Sequence, residues 1–141
     1  MLLLDLDNFK TANDRHGHLF GDNVLKAVAD KLRRCTRDSD VVVRVGGDEF
    51  LMFLEYKENL QPLIDRLFAS FSEPYPNFDI RTSMGISLAP KDGVEYEELF
   101  HRADQALYAA KQYGRNRNCY YDDSMKELFS VLSPVESEEN T

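Results

Sequence analysis

The chain has 141 residues, 43% of them hydrophobic and 30% charged, which suits one compact domain with a real core. No run of about 18 apolar residues appears, so no membrane segment is expected, and "MLLLDLDNF" lacks the basic start and long apolar stretch of a secretory signal. The net charge of −8 is concentrated in residues 122–141, which carry −5, so the remainder is nearly balanced and a broad basic face for nucleic acid is excluded.

Taken in chain order, the two hydrophobic periods alternate. "LLLDL" at 2–6 predicts a strand, and "NFKTANDRHG" a short helix that Asp7 or Asn8 could cap. From Asp22 to about Arg37, Val24, Leu25, Val28 and Leu32 share one helical face. "VVVRV" and "EFLMFLE" predict two strands joined through Gly46, Gly47 and Asp48 as a hairpin, with the glycine pair supplying positive φ angles. "ENLQPLIDRLFASFSE" predicts a helix with Pro62 in its first turn. "FDIRTSMGISLAP" predicts a long strand, and "YEELFHRADQALYAAKQYG" a helix with Leu99, Ala103, Ala106, Leu107 and Ala110 on one stripe, stopped by Gly114. "NRNCYY" predicts the last strand.

This order predicts an α+β domain over residues 1–121, with a central, mainly antiparallel five-stranded sheet flanked by helices. Residues 122–141 are expected to be an acidic, flexible tail with a short apolar segment, "LFSVL". Cys35 and Cys119 are too few and too far apart for a disulfide or zinc framework, so a cytoplasmic setting is expected.

The stretch "VRVGGDEF" at 43–50 sets two glycines against two adjacent acids. Alone it could be a hairpin turn with a polar tip. A second acid, Asp5, ends the apolar run "LLL", where a carboxylate is costly to bury without cationic compensation. Two strand-end carboxylates drawn together in one sheet would repel each other unless a divalent cation lay between them. Magnesium prefers such oxygen donors, and these sites serve phosphoryl and nucleotidyl transfer.

These residues carry a family resemblance. "GGDEF" at 46–50 is similar to the signature of the GGDEF domains, the diguanylate cyclases of bacterial second-messenger signalling. "LDLDNFKTAND" at 4–14, "HGHLFGD" at 16–22, "SMGIS" at 83–87 and "ADQALYAAKQYGRN" at 103–116 resemble further family blocks in family order. The resemblance implies a ferredoxin-like, nucleotide-cyclase palm fold. It also implies a reaction in which two GTP molecules, one on each domain of a homodimer, are joined into cyclic di-GMP with release of pyrophosphate.

By the same resemblance Asp5, the Leu6 carbonyl and Asp48 would hold Mg2+, with Mn2+ as an alternative, and Glu49 would serve the catalytic step beside Asp48. Asn8, Phe9 and Lys10 would offer helix-start amides to the terminal phosphates, and Lys111 and Arg115 would bind the same phosphates. Asn13 and Asp22 match positions that contact guanine, whose N1 and N2 donors an aspartate can accept. Without the resemblance Asp22 would be an N-cap and Asn13 an ordinary helix-surface residue.

Upstream, "RDSD" places Arg37 and Asp40 in an RxxD pattern at the family's spacing for product inhibition by cyclic di-GMP. Family members usually begin earlier, with a further helix and a "DxLTxLxNR"-like segment, so an upstream sensory domain in a longer protein is expected. The alternative to a cyclase is a non-synthesising module that binds cyclic di-GMP or GTP as a regulatory domain.

Overall fold

The computed structural model describes residues 1–128. Its elements follow the expected order: β1 (Leu2–Leu6), α1 (Phe9–His16), α2 (His18–Cys35), β2 (Val41–Gly46), β3 (Glu49–Phe53), α3 (Gln61–Phe71), β4 (Thr82–Ile86), α4 (Tyr96–Gln112) and β5 (Arg117–Tyr120), then a 3-10 turn at Asp123–Met125. The five strands form one mixed sheet in the order β2-β3-β1-β4-β5, antiparallel except for the β4–β5 pair. With helices packed on it, this is the expected α+β class.

Strand alternation decides which residues meet which helices. Leu2, Leu4 and Leu6 join Met52, Met84 and Ile86 under Val24, Val28, Leu32, Ile64 and Leu67, which makes the larger core. Leu3 and Leu51 point the other way and pack on Ala103 and Leu107 of α4. Each fully buried leucine contributes about 1.5–3 kcal/mol of transfer free energy. β1, paired on both sides and covered on both faces, is therefore the least yielding part of the molecule. Asp5 continues the Leu3 alternation at its end, which aims it at the α4 side.

Four local expectations need correction. First, α2 starts at His18 rather than at Asp22, because Gly17 (φ 88°) breaks the path between α1 and α2 and the new helix begins at once. Asp22 is consequently a residue within the helix and not its N-cap. Second, neither Asp7 nor Asn8 caps α1 with a side chain; Asn8 takes a left-handed turn (φ 59°), and the Asp7 carboxylate is bonded elsewhere. Third, of the glycine pair only Gly47 has positive φ. Gly46 pairs with Glu49, and the register shift between Arg44 and Gly46 marks a bulge at Val45. Fourth, the long strand shortens to Thr82–Ile86, since Tyr75 and Phe78 form a bridge of their own and the chain after Ser87 turns to place the Asp92 carboxylate on the Leu88 amide.

The packed chain also runs past residue 121. Met125 is buried with Tyr121 against Ala106 and Ala109, and Gln105 of α4 donates to the carbonyls of Lys126 and Leu128. Acidic composition hid this small apolar anchor. The rest of the "LFSVL" segment lies outside the described residues.

Gly85 sets how closely α4 approaches β4. A Cβ there would lie 2.1 Å from the Ala103 carbonyl oxygen and 2.2 Å from the Leu107 nitrogen, both main-chain atoms. Gly85→Ala should cost about 1–3 kcal/mol or more in denaturant unfolding. Gly46→Ala, with open space and no positive φ, should change stability by no more than about 0.5 kcal/mol.

Candidate active site

The β2–β3 turn and the end of β1 lie side by side in the sheet. Asp5 is directly opposite Glu49 in the β1–β3 ladder, and the Leu6 amide donates to the Asp48 carbonyl at 3.2 Å. Residues directly opposite on antiparallel strands share a face, so the Asp5 and Glu49 carboxylates both rise on the α4 side, with Asp48 at the turn beside them. Above them α4 presents Asp104, Leu107 and Lys111 on one stripe, at the three- and four-residue spacing of a helix. Leu107 covers Leu3. One turn further on, the Lys111 ammonium reaches Asp5 Oδ2 at 2.5 Å, with both side chains largely buried.

The site therefore holds more negative charge than its surroundings satisfy. Burial first, and then the neighbouring Asp5 carboxylate, push the Asp48 carboxyl up to about 7. Burial also pushes Glu49 up to about 7, with Asp5 and the buried Asp104 adding to the effect, while Lys111 opposes the rise at both groups. Asp5 Oδ1 is buried with no hydrogen-bond partner. An orphaned buried carboxylate oxygen beside two carboxyls held partly protonated is a donor set that suits a hard divalent cation. Among the described residues no three His, Cys, Asp or Glu side chains form a ready-made metal cluster; the cation that Asp5 holds is Lys111.

The remaining expected residues fall into four groups. Asn8, Phe9 and Lys10 open α1, whose first turn has no side-chain cap. Arg115 follows the end of α4, where the Gly114 amide donates to the Lys111 carbonyl and the Arg115 amide to the Ala110 carbonyl, a Schellman arrangement. Asn13 and Asp22 sit on facing helices: Asn13 Oδ1 is buried without a partner and would lie 1.8 Å from a Cβ at Gly21. Asp22 is exposed at the mouth of a groove between α2 and the β2–β3 edge that also holds Lys26, Arg33, Arg44 and Phe50.

Arg37 and Asp40 lie apart from these, in the loop from α2 to β2. The Asp40 carboxylate accepts from the Arg37 amide at 2.9 Å and the Glu55 amide at 3.2 Å, so it closes the turn, while the Arg37 side chain remains exposed. Both line a cleft of about 540 Å³ that also contains Arg66 and Tyr56. Arg66 and Asp104 were not among the residues expected at a site, and Asp7 was expected only as a helix cap. An acid within the apolar stripe of α4, seven residues before Lys111, and an alternating "LDLD" were signals available for the last two.

The family model for "Diguanylate cyclase, GGDEF domain" matches residues 1–117. The chain belongs to the GGDEF domain family. It is 40% identical over 131 residues to the bifunctional diguanylate cyclase/cyclic di-GMP phosphodiesterase MucR of Pseudomonas aeruginosa, a match covering 89% of this chain and 19% of MucR. The curated relatives it matches first are all longer, and the chain spans from 17% to 40% of their lengths. Among solved structures, the isolated GGDEF domain of TpbB (YfiN) from P. aeruginosa aligns with a TM-score of 0.83 at 33% identity, covering 88% of this chain and 77% of that one. The GGDEF domain of DgcB from Caulobacter crescentus, solved in complex with c-di-GMP, aligns with a TM-score of 0.73 at 31% identity, covering 84% and 75%.

The crowding of acids at the GGDEF turn has a measurable consequence. Asp48 and Glu49 bind protons more readily in the folded chain than at their ordinary values of 3.8 and 4.5, so their contribution to stability falls as pH rises from about 4 to about 7. Asp48→Asn removes one of the charges, and should stabilise the fold at pH 8 by on the order of 1–3 kcal/mol. Thermal unfolding of both proteins at pH 5 and pH 8 checks this, with the larger gain at the higher pH.

Proposed function

We propose that this domain is a diguanylate cyclase, joining two GTP molecules into cyclic di-GMP with release of pyrophosphate. The observation that carries the reading is the set of strand-end acids Asp5, Asp48 and Glu49, held against their own repulsion beside Lys111. An arrangement that costs stability is expected where a ligand relieves it. Its intact signature and the naming of MucR as a bifunctional cyclase support the same reading.

In this reading Asp5, the Leu6 carbonyl and Asp48 hold Mg2+, or Mn2+ in its place. The bound cation would neutralise charge developing on the α-phosphate. Glu49, with its carboxyl raised to about 7, is basic enough to take the proton of the attacking 3′-hydroxyl. Lys111 and Arg115, with the uncapped amides of Asn8, Phe9 and Lys10, bind the β- and γ-phosphates and orient the leaving pyrophosphate. Lys111 moves from Asp5 to phosphate as the nucleotide arrives. Asp22 accepts from the guanine N1 and N2 donors, and Asn13, its amide oxygen unpartnered, completes the base contacts.

One domain holds one GTP, so ring closure requires two domains facing each other as a homodimer. The Arg37–Asp40 turn, with Arg66 in the same cleft, is the proposed product-binding site. Its exposed guanidinium suits a phosphate or the Hoogsteen edge of guanine, and the c-di-GMP complex of DgcB supports a product site in this fold. An upstream sensory domain and a cytoplasmic setting accord with this role, and no helix among the described residues is long and apolar enough to cross a membrane.

Incubation with GTP and Mg2+, followed by chromatography, should yield cyclic di-GMP at a rate that rises more steeply than linearly with dilute enzyme. Glu49→Gln should lower turnover about 10²–10⁴-fold, and Arg37→Ala should relieve inhibition by added product. GTP binding without turnover would contradict the cyclase and favour a regulatory module.

A further inference from the structure

Asp7 lies two residues beyond Asp5, outside the acid cluster. It is 3% exposed, and its main-chain amide is fixed on the Arg81 carbonyl at 2.8 Å. Its position just before α1 would suit a helix cap, yet the carboxylate turns the other way. Oδ1 accepts from the Ser83 hydroxyl at 2.7 Å, Oδ2 accepts from the Asn116 amide at 2.8 Å, and the Arg115 guanidinium stands 3.9 Å from Oδ1. One buried charge thus gathers β4 and the α4–β5 loop at the point where β1 passes into α1.

The geometry of that loop needs such an anchor. Arg115 (φ 65°) and Asn116 (φ 48°) are consecutive left-handed residues without being glycine, a backbone form that persists only where surrounding contacts enforce it. The Asn116 amide bond to Asp7 is one of those contacts. On the other side Asn8 is also left-handed, and the first turn of α1 is without a side-chain cap. The two segments that present cations and amides to the proposed terminal phosphates are therefore joined through one carboxylate.

We infer that Asp7 is a positioning residue for the terminal phosphates of the nucleotide, tying the loop that carries Arg115 to the turn that starts α1. The inference rests on the reading of this site as a GTP site. Asp7 touches no nucleotide itself. Its charge holds the guanidinium near the helix start, and its second oxygen fixes the backbone that carries it. Loss of the clamp should weaken contacts to the β- and γ-phosphates while leaving the base and α-phosphate contacts in place.

Calorimetry with an α-thio GTP analogue and with GMP, both with Mg2+, separates these contributions. Asp7→Asn should bind the triphosphate about tenfold more weakly and GMP within about twofold of wild type. In an Arg115→Ala background the same change should add less than about twofold, because the group being positioned is already gone. Ser83→Ala, which removes one bond to the carboxylate and leaves its charge, should give a smaller loss of the same kind, and it decides the matter should Asp7→Asn fail to fold. Equal losses for triphosphate and GMP, or full additivity with Arg115→Ala, would overturn the inference and leave Asp7 as a packing residue. A wild-type triphosphate preference that survives both Asp7→Asn and Ser83→Ala unchanged would overturn it alone. A wild type that binds the triphosphate no better than GMP would contradict the GTP site itself, and the inference with it.

Discussion

Burial of mutually repelling carboxylates at the end of one strand pair, with Lys111 set against them, is the constraint around which this domain is built. Asp5 and Glu49 are locked face to face by the β1–β3 register, and Asp48 is fixed beside them by the turn and by the Leu6 amide. None of the three can move away without breaking ladder bonds of the central strand. The result is one neutralised aspartate, on Lys111, and two acids whose protons are held until about pH 7. A charge arrangement this unfavourable persists because the two cores on either side of β1 stabilise the strand independently of it.

The same register explains why the signature needs its particular residues. The bulge at Val45 and the left-handed Gly47 bring the β2–β3 hairpin to a two-residue tip, which leaves Asp48 at the turn and Glu49 as the first paired residue of β3. α4 completes the site only because Gly85 lets its backbone lie directly on β4. Its stripe then changes character along its length, from Ala103 and Leu107 over the apolar core to Lys111 over Asp5. A helix positioned by packing at one end therefore delivers a charge at the other.

Much of this was legible in the sequence because it rests on period and on turn chemistry. The alternation of "LLLDL" set Asp5 at a strand end, "GGDEF" between two apolar runs set the hairpin, and the 103–110 stripe set α4. What escaped was decided by contacts distant in sequence. Asp7 resembled a helix cap, since nothing local reveals Ser83 and Asn116, 76 and 109 residues away, as its partners. Asp22 resembled an N-cap because "HGH" does not show that Gly17 can end one helix and open the next. Arg66 joined the Arg37–Asp40 cleft only through the packing of α3 beside the end of α2, where its guanidinium donates to the Cys35 carbonyl. The RxxD spacing itself has a local origin as well, in the turn that Asp40 closes.

The central claim is that burial, together with the neighbouring Asp5 carboxylate, keeps the acids at the GGDEF turn partly protonated, and the proposed function adds that a divalent cation relieves them. Carboxyl carbon NMR of Asp48 and Glu49, followed from pH 4 to pH 9, tests it most directly. Without divalent metal both should titrate near 7, and addition of Mg2+ should move the Asp48 midpoint down by more than one unit. Midpoints near 4 in the metal-free protein, unmoved by Mg2+, would contradict the account.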